Sequence, residues 1–411
     1  MEGVIKTALV NHLEENNILS PVQHGFRRNK SCVTNLIEYL DRVTDLVDLG
    51  ESVDIVFFDF SKAFDLVPHK RLVYKLGRCG VLGNLQRWIS SWLSDRKQRV
   101  VINGSESSWE NVLSGVPQGS VLGPILFIVF INDISDNIRS AISLFADDTK
   151  LFSSVQTEFL KMQLQESITA LQEWSLQWNM QFNAAKCAVV HIGNKNPCHS
   201  YTLGTTTLAS SSSEKDVGVY IQSNLKNDEQ CRKVSRTCNN IIGMVRRSFT
   251  NKESNLMLQV YKSYLLPHLD YAISVWNPWR QKDIDILEAI QRRFTRMISG
   301  MSNLSYEERL TLLELPTLEV RRMRLDVIQA YRIWNQIDKI DHQLFDKVND
   351  IHDKNTRHSA KSNFVVKPTK LNVRQHFFSN RVVPLWNALP KEVQEASSLA
   401  VFKSKVEKIF Q

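Results

Sequence analysis

The chain has 411 residues, 43% of them hydrophobic and 23% charged, an ordinary composition for a folded protein with room for two or three domains. The longest apolar run, residues 121–131, is interrupted by Gly123 and Pro124 and is too short to span a bilayer, so no membrane partner is expected. Residues 1–222 carry 20 Lys+Arg against 23 Asp+Glu, a net −3, whereas residues 223–411 carry 31 against 20, a net +11.

Taken in chain order, residues 5–16 read as an amphipathic helix, broken at Leu19-Ser20-Pro21. Residues 33–49 place Leu36, Ile37, Leu40, Val43 and Leu46 near a period of 3.6, and Gly50 ends that helix. Residues 53–60 (VDIVFFDF) form a short, nearly continuous apolar run, the pattern of a strand buried on both faces. Helices follow near 69–77 and 83–93, then two strands, 98–102 and 109–113, around Asn103-Gly104. The loop 115–120 precedes a buried helix at 122–134. A helix at 157–179 is followed by strands near 187–192 and 216–221. From about 229 the pattern is almost wholly helical, with stops at Pro267, Pro278, Pro316 and Pro384, and the polar, basic stretch 350–370 reads as a mobile loop. This order predicts an α+β domain, a sheet covered by helices on one face, over residues 1–222, and a helical basic region over 223–411.

The cysteines at 32, 79, 187, 198, 231 and 238 include no CxxC pair. They read as reduced structural thiols rather than a zinc knuckle or a disulfide framework. The first residues combine acids with no long apolar core and do not read as a signal peptide. An intracellular protein, nuclear or cytoplasmic and not secreted, is the expectation.

Phe145-Ala146-Asp147-Asp148 carries the most chemistry. Apolar residues on both sides place the two carboxylates at the tip of a β-hairpin. Asp-Asp is also an ordinary turn dipeptide. Asp59 changes the weighing: it sits near the end of the 53–60 run, where a charge is costly unless something pairs with it. Asp59, Asp147 and Asp148 on adjoining strands would hold two Mg²⁺ ions, the arrangement of nucleotidyl transfer.

The ordered segments QHGFRRNKSC (23–32), VFFDFSKAFDLVPH (56–69), SGVPQGSVLGP (114–124), LFADDTKLF (144–152), NAAKC (183–187) and KDVGVYI (215–221) resemble the reverse transcriptase of non-LTR retrotransposons (LINEs) of the jockey-like group. YLLPHLDYAISVWNP (264–278), LEAIQRRFTRMI (287–298) and RVVPLWNALPKEV (381–393) extend the resemblance through the second half. A group II intron maturase is a related alternative.

The resemblance implies a right-hand polymerase: fingers and a ferredoxin-like palm over 1–222, then a thumb and C-terminal region over 223–411. It implies an RNA-directed DNA polymerase whose partners are an RNA template, a DNA primer and deoxynucleoside triphosphates, within a ribonucleoprotein. Asp59 and Asp147 would bind both metals, with Asp148 completing the cluster. Phe60 would bind substrate, and Phe64 would lie beneath the incoming sugar, excluding a 2′-hydroxyl; for Phe64 a core phenylalanine is the alternative. Gln118 and Gly119 would abut template and nucleotide, and Lys186 the triphosphate. Arg27 and Arg28 would meet phosphates or form a solvated turn. Arg292, Arg293 and Arg296, on about one helical face, and a second cluster, Arg321, Arg322 and Arg324, would follow a nucleic-acid backbone. Trp276, Trp279 and Trp334 would stack on bases or fill the core. The family's endonuclease and first fingers segment are expected upstream of Met1. Without that segment Arg27, Arg28 or Lys30 would have to supply its phosphate contacts. A weakly active or inactive nucleic-acid-binding derivative is therefore the second reading, and a structural relic a third.

Overall fold

The computed structural model describes residues 1–346 and 363–410. Most of the 350–370 stretch lies outside the described residues. The chain forms two compact units, one of Met1–Asn35 with Glu51–Ser212, the other of Leu36–Gly50 with Ser213–Gln411.

The first unit is built on a five-stranded sheet. Its strand order is Ala209–Ser211, Ala188–Ile192, Val53–Phe58, Asp148–Ser154, Ala141–Phe145. Val53–Phe58 is antiparallel to both of its neighbours, and this inner position explains its unbroken apolar run. Val56, Phe58, Leu144, Leu151 and Val189 share one core with Phe127, Leu164, Ile168 and Leu171. Those last four come from helices Gly123–Ile131 and Glu158–Trp178. The first of these helices is apolar all round, and eight of its nine residues are buried, as expected for a helix enclosed by protein. Thr157 caps the second by accepting from Leu160 N–H.

Asp54 is a charge buried inside the sheet. It accepts hydrogen bonds from His191 Nδ1 at 2.7 Å, Tyr201 Oη at 2.8 Å and Asn196 Nδ2 at 2.8 Å. Three donors compensate most of the desolvation that a carboxylate suffers there.

The second unit is largely helical and holds several of its buried carboxylates with arginines. Asp41, on helix Cys32–Asp48, meets Arg374 at 2.7 Å and Asp326 meets Arg381 at 2.8 Å. Arg321 pairs with Asp270, Arg332 with Asp338, and Arg280 with Asp283. Burial raises the Asp41 carboxyl, but His342, Arg374 and Ser379 outweigh it and hold the group below its ordinary value.

Several expected elements change. The strand expected at 216–221 is a hairpin, Ser213–Asp216 with Val219–Gln222, turning at Val217 and Gly218 with φ of +42° and +87°. Val217 gives no turn signal, because β-branched residues rarely adopt positive φ. The Tyr271 hydroxyl holds the bend by donating to Val217 O at 2.7 Å. Pro267 and Pro384 do not stop helices. Pro267 follows one turn of π-helix, Tyr261–Leu265, whose wider winding accommodates the ring. Pro384 lies inside helix Phe378–Asn387. The 97–111 hairpin is broken into two short ladders, Lys97–Gln98 with Glu110–Asn111 and Val101–Ile102 with Ser105–Glu106.

Candidate functional site

Asp59 stands one residue beyond strand Val53–Phe58. Residues 181–183 lie along it: Ser61 N–H donates to Gln181 O at 2.9 Å and Asn183 N–H to Asp59 O at 2.7 Å. In the ladder Phe58 faces Thr149, so the next position outward sets Asp59 beside Asp148. Asp147 occupies the two-residue turn closed by the Phe145–Asp148 pair. Its carboxyl is held above the ordinary value, by burial first, while its own backbone N–H opposes and the Asp59 charge adds. Asp59 and Asp147 thus feel each other's charge, and Asp148 is exposed on the same turn.

Ala146, between the strand and the acids, has φ +53°, a left-handed conformation that costs an alanine about 1–2 kcal/mol. Gln23 holds it there. Its buried side chain accepts from Ala146 N–H at 2.8 Å and Gly25 N–H at 2.7 Å, and donates to Ala146 O at 3.2 Å. His24 N–H donates to Leu144 O and Leu144 N–H to Val22 O, so residues 22–24 extend the sheet edge beside the turn. A Cβ on Gly25 would lie 2.3 Å from Ala146 N, so only glycine permits this approach. Nothing in the sequence around Gln23 and Gly25 signals this role, because clamping of a backbone turn has no sequence pattern of its own.

Asp59 Oδ2 is shielded from solvent and makes no hydrogen bond among the described residues. The nearest cation is the exposed Lys186 ammonium, 3.4 Å away. A carboxylate oxygen without a hydrogen bond, within electrostatic reach of a second carboxylate, is a hard oxygen donor of the kind Mg²⁺ takes, so the chemistry of these residues fits Mg²⁺.

A second group of side chains lies just after Asp59. The loop 114–118 docks on residues 64–67 through Val116 N–H to Phe64 O and Gly115 N–H to Val67 O, both 2.8 Å. Gly115 has φ +92° and packs where a Cβ would lie 2.7 Å from Asp65 O. Gln118 is exposed, and its amide donates to Asp65 Oδ1 at 2.9 Å. Asp65 thus restrains the Gln118 amide, a contact for which the sequence carries no signal. Gly119, at φ +80°, has nothing within 4 Å of a Cβ position. Phe64 is half-buried, its ring stacked 4.3 Å from Phe127 and edge-on to Phe26.

Other expected site residues fare differently. The Phe60 side chain is buried, stacked 4.2 Å from Phe182 and edge-on to Trp174, so the ring serves the core. Arg27 makes two bonds to Glu14 and one to Ser20 O, and Lys30 donates to Pro21 O. Among the described residues Arg28 alone of the three is an exposed side chain with no such tie. Arg321 is bound to Asp270, Arg322 is buried against Asn277, and Arg324 donates to Phe410 O. That cluster is therefore structural, not a basic face. Trp276 is buried, Trp279 stacks on His376, and Trp334 packs edge-on to Phe364. Arg292, Arg293 and Arg296 are exposed.

Residues 2–237 match the family "Reverse transcriptase (RNA-dependent DNA polymerase)". The chain belongs to the reverse transcriptase family. It is of the non-LTR retrotransposon type. It is 27% identical over 315 residues to the RNA-directed DNA polymerase from mobile element jockey of Drosophila melanogaster, covering 73% of this chain and 34% of that protein. It is 28% identical over 327 residues to the probable RNA-directed DNA polymerase from transposon BS of the same organism, covering 72% and 34%. The chain thus spans about a third of the length of these curated relatives. Among solved structures it is similar to apo telomerase from Candida tropicalis, with TM-score 0.44 and 11% identity, covering 78% of this chain and 53% of that one. The architecture is α+β, a mixed sheet with flanking helices. Among the described residues no helix is long and apolar enough to cross a membrane.

Proposed function

We propose that this reverse transcriptase chain is an RNA-directed DNA polymerase, joining deoxynucleoside triphosphates to a DNA primer on an RNA template. The observation that carries the reading is the solvent-shielded, unbonded Asp59 Oδ2 next to Asp147. Folding alone does not call for such a pair, since like charges that feel each other destabilise the fold.

Asp59, Asp147 and Asp148 would hold two Mg²⁺ ions. When bound, these would lower the pKa of the primer 3′-hydroxyl and neutralise charge on the transferring phosphoryl group. The chain's own residues do the positioning. Gln23 fixes the angle at which Asp147 leaves the turn. Lys186, already drawn to the Asp59 charge, would turn toward the triphosphate and give a proton to the leaving pyrophosphate. Gln118, steadied by Asp65, would offer its amide to template or nucleotide. Phe64 would border the sugar of the incoming nucleotide. Arg28 would meet a phosphate. The sheet-bearing unit takes the part of fingers and palm, its inner strands in ferredoxin-like order. The helical unit takes that of thumb and C-terminal region, with Arg292, Arg293 and Arg296 against nucleic acid. The same reading puts the protein in an intracellular ribonucleoprotein, nuclear or cytoplasmic.

Primer extension on an RNA template tests the proposal, with Asp147→Asn/Asp148→Asn as the inactive control. Extension that needs Mg²⁺ and vanishes in the control supports it; a folded chain without extension at any Mg²⁺ concentration overturns it. In that event salt-dependent binding to an RNA–DNA hybrid would leave the second reading, a nucleic-acid-binding derivative.

A further inference from the structure

At the Asp54 end of strand Val53–Phe58 a chain of hydrogen bonds crosses the sheet. Asp54 faces His191 directly in the antiparallel pair with Ala188–Ile192. Ser210 lies beside Val189 in the parallel pair of Ala209–Ser211 with the same strand. Alternate residues of a strand share a face, so Ser210 sits diagonal to His191 and on its side of the sheet. His191 Nδ1 is 2.7 Å from Asp54 Oδ1, and His191 Nε2 is 3.1 Å from Ser210 Oγ.

A carboxylate only accepts, so the hydrogen between His191 and Asp54 belongs to Nδ1. In a neutral imidazole that leaves the lone pair on Nε2, and the Ser210 hydroxyl donates to it. Asp54 is held in turn by Tyr201 Oη and Asn196 Nδ2 at 2.8 Å each. Asn196 is also tied to Val53 O and Ile192 O. The orientation and tautomer of the imidazole are therefore fixed from adjoining strands.

Exposure is graded along this chain. Asp54 is fully buried, the His191 side chain is 8% exposed, and Ser210 is exposed. Water has little access to the imidazole, while an electrophile can reach the serine oxygen. Burial of Asp54 does not require Ser210. An exposed serine on the outer strand of a sheet can satisfy its hydroxyl with water, yet this one is bound to the base. A hydroxyl within hydrogen-bond reach of a base, with that base oriented by a third group, is the arrangement that activates a serine.

We infer that Ser210 is a base-activated nucleophile toward activated esters, with His191 as its general base and Asp54 positioning the imidazole. Oγ bonds to the ester carbonyl carbon while the bond from that carbon to the leaving oxygen breaks. The hydroxyl proton passes to His191 Nε2 and then to the leaving oxygen. The products are an O-acyl serine and a free phenol. Exposure sets the substrate class. Peptide bonds have a poor leaving group and need an enclosed oxyanion site. An aryl ester has a leaving group that departs readily, and Ser210 on the outer strand meets it in the open. This inference does not rest on the polymerase reading.

The test is incubation of the full chain with p-nitrophenyl acetate, following release of nitrophenol and mapping acetylated peptides by mass spectrometry. Ser210 should carry the acetyl group, with Ser211, Ser212 and Ser213 of the same run as internal controls. Ser210→Ala should abolish acylation of this run, and Ser212→Ala, also an exposed change, should acylate like the unaltered chain. His191→Gln should slow acylation about a hundredfold. Nitrogen NMR of histidine-labelled protein reads the tautomer apart from any rate. His191 of the unaltered chain should show hydrogen on Nδ1 and a bare Nε2, and Asp54→Asn, which can accept or donate, should mix the two forms. Acetyl groups spread evenly over residues 210–213, an unchanged rate in folded His191→Gln, or hydrogen on Nε2 in the unaltered chain overturns the inference.

Discussion

The strand Val53–Phe58 has an aspartate near each end, and the two are treated in opposite ways. Asp54 is fully buried and receives three hydrogen bonds from His191, Tyr201 and Asn196. Asp59 keeps one oxygen shielded from water with no hydrogen bond, and adds its charge to that of Asp147. The same residue type, five positions apart, is a fully hydrogen-bonded structural anion at one end and, at the other, is met among the described residues only by the exposed Lys186 ammonium at 3.4 Å. A fold that can supply three donors to Asp54 does not lack the means to satisfy Asp59. The difference marks the end where the compensating charge is expected to come from outside the chain.

The largest effect tests that asymmetry directly. Asp59→Asn should reduce primer extension on the order of a thousandfold, the loss of several kcal/mol of charge stabilisation, while the thermal midpoint stays level or rises. Calorimetry should show Mg²⁺ binding lost in the same variant. Asp54→Ala should do the reverse. It strands three buried donors and should lower stability by about 3–5 kcal/mol in urea titrations, with little change in extension per folded molecule. If Asp59→Asn destabilised as much as Asp54→Ala, the two ends would be alike and the metal reading would lose its main support.

Finer variants sharpen the contrast. Tyr201→Phe removes one of the three Asp54 donors and should cost about 1–2 kcal/mol. Phe64→Ala decides between stacking on Phe127 and bordering a sugar: relaxed discrimination against ribonucleotides, read from incorporation ratios, marks the second role. The smallest effect concerns charge alone. The Asp147 carboxyl is raised in the folded state, so its ionised form opposes folding at neutral pH and that penalty fades as the pH falls through its titration. Asp147→Asn without metal should therefore raise the thermal midpoint by about 1–3 °C at pH 7 and by less at pH 4. Added Mg²⁺ should raise the midpoint of the unaltered chain and not that of the variant.

The sheet was legible because its strands carry their burial in composition. The 53–60 run and the hairpin flanking Asp147-Asp148 both form, and Asp59 and Asp147 come within reach of each other's charge. What escaped was long-range and polar. Nothing in the spacing of Gln23 or Asp65 announces a hydrogen bond to Ala146 or Gln118. The bend at Val217 was hidden because its strain is held by Tyr271, distant in sequence. The arginines divided for the same reason. Arg321, Arg322 and Arg324 look as basic in sequence as Arg292, Arg293 and Arg296, and only their partners in the folded unit tell a structural cation from an available one.

The clamp on Ala146 carries a consequence for how this centre comes into being. Gln23 leaves the ribosome more than a hundred residues before the turn it grips, so the hairpin cannot set its own tip while it is being made. A fragment beginning at residue 51 would possess all three aspartates and still aim them wrongly. On the polymerase reading, a change at Gln23 would alter the acidic turn without altering any of the three aspartates.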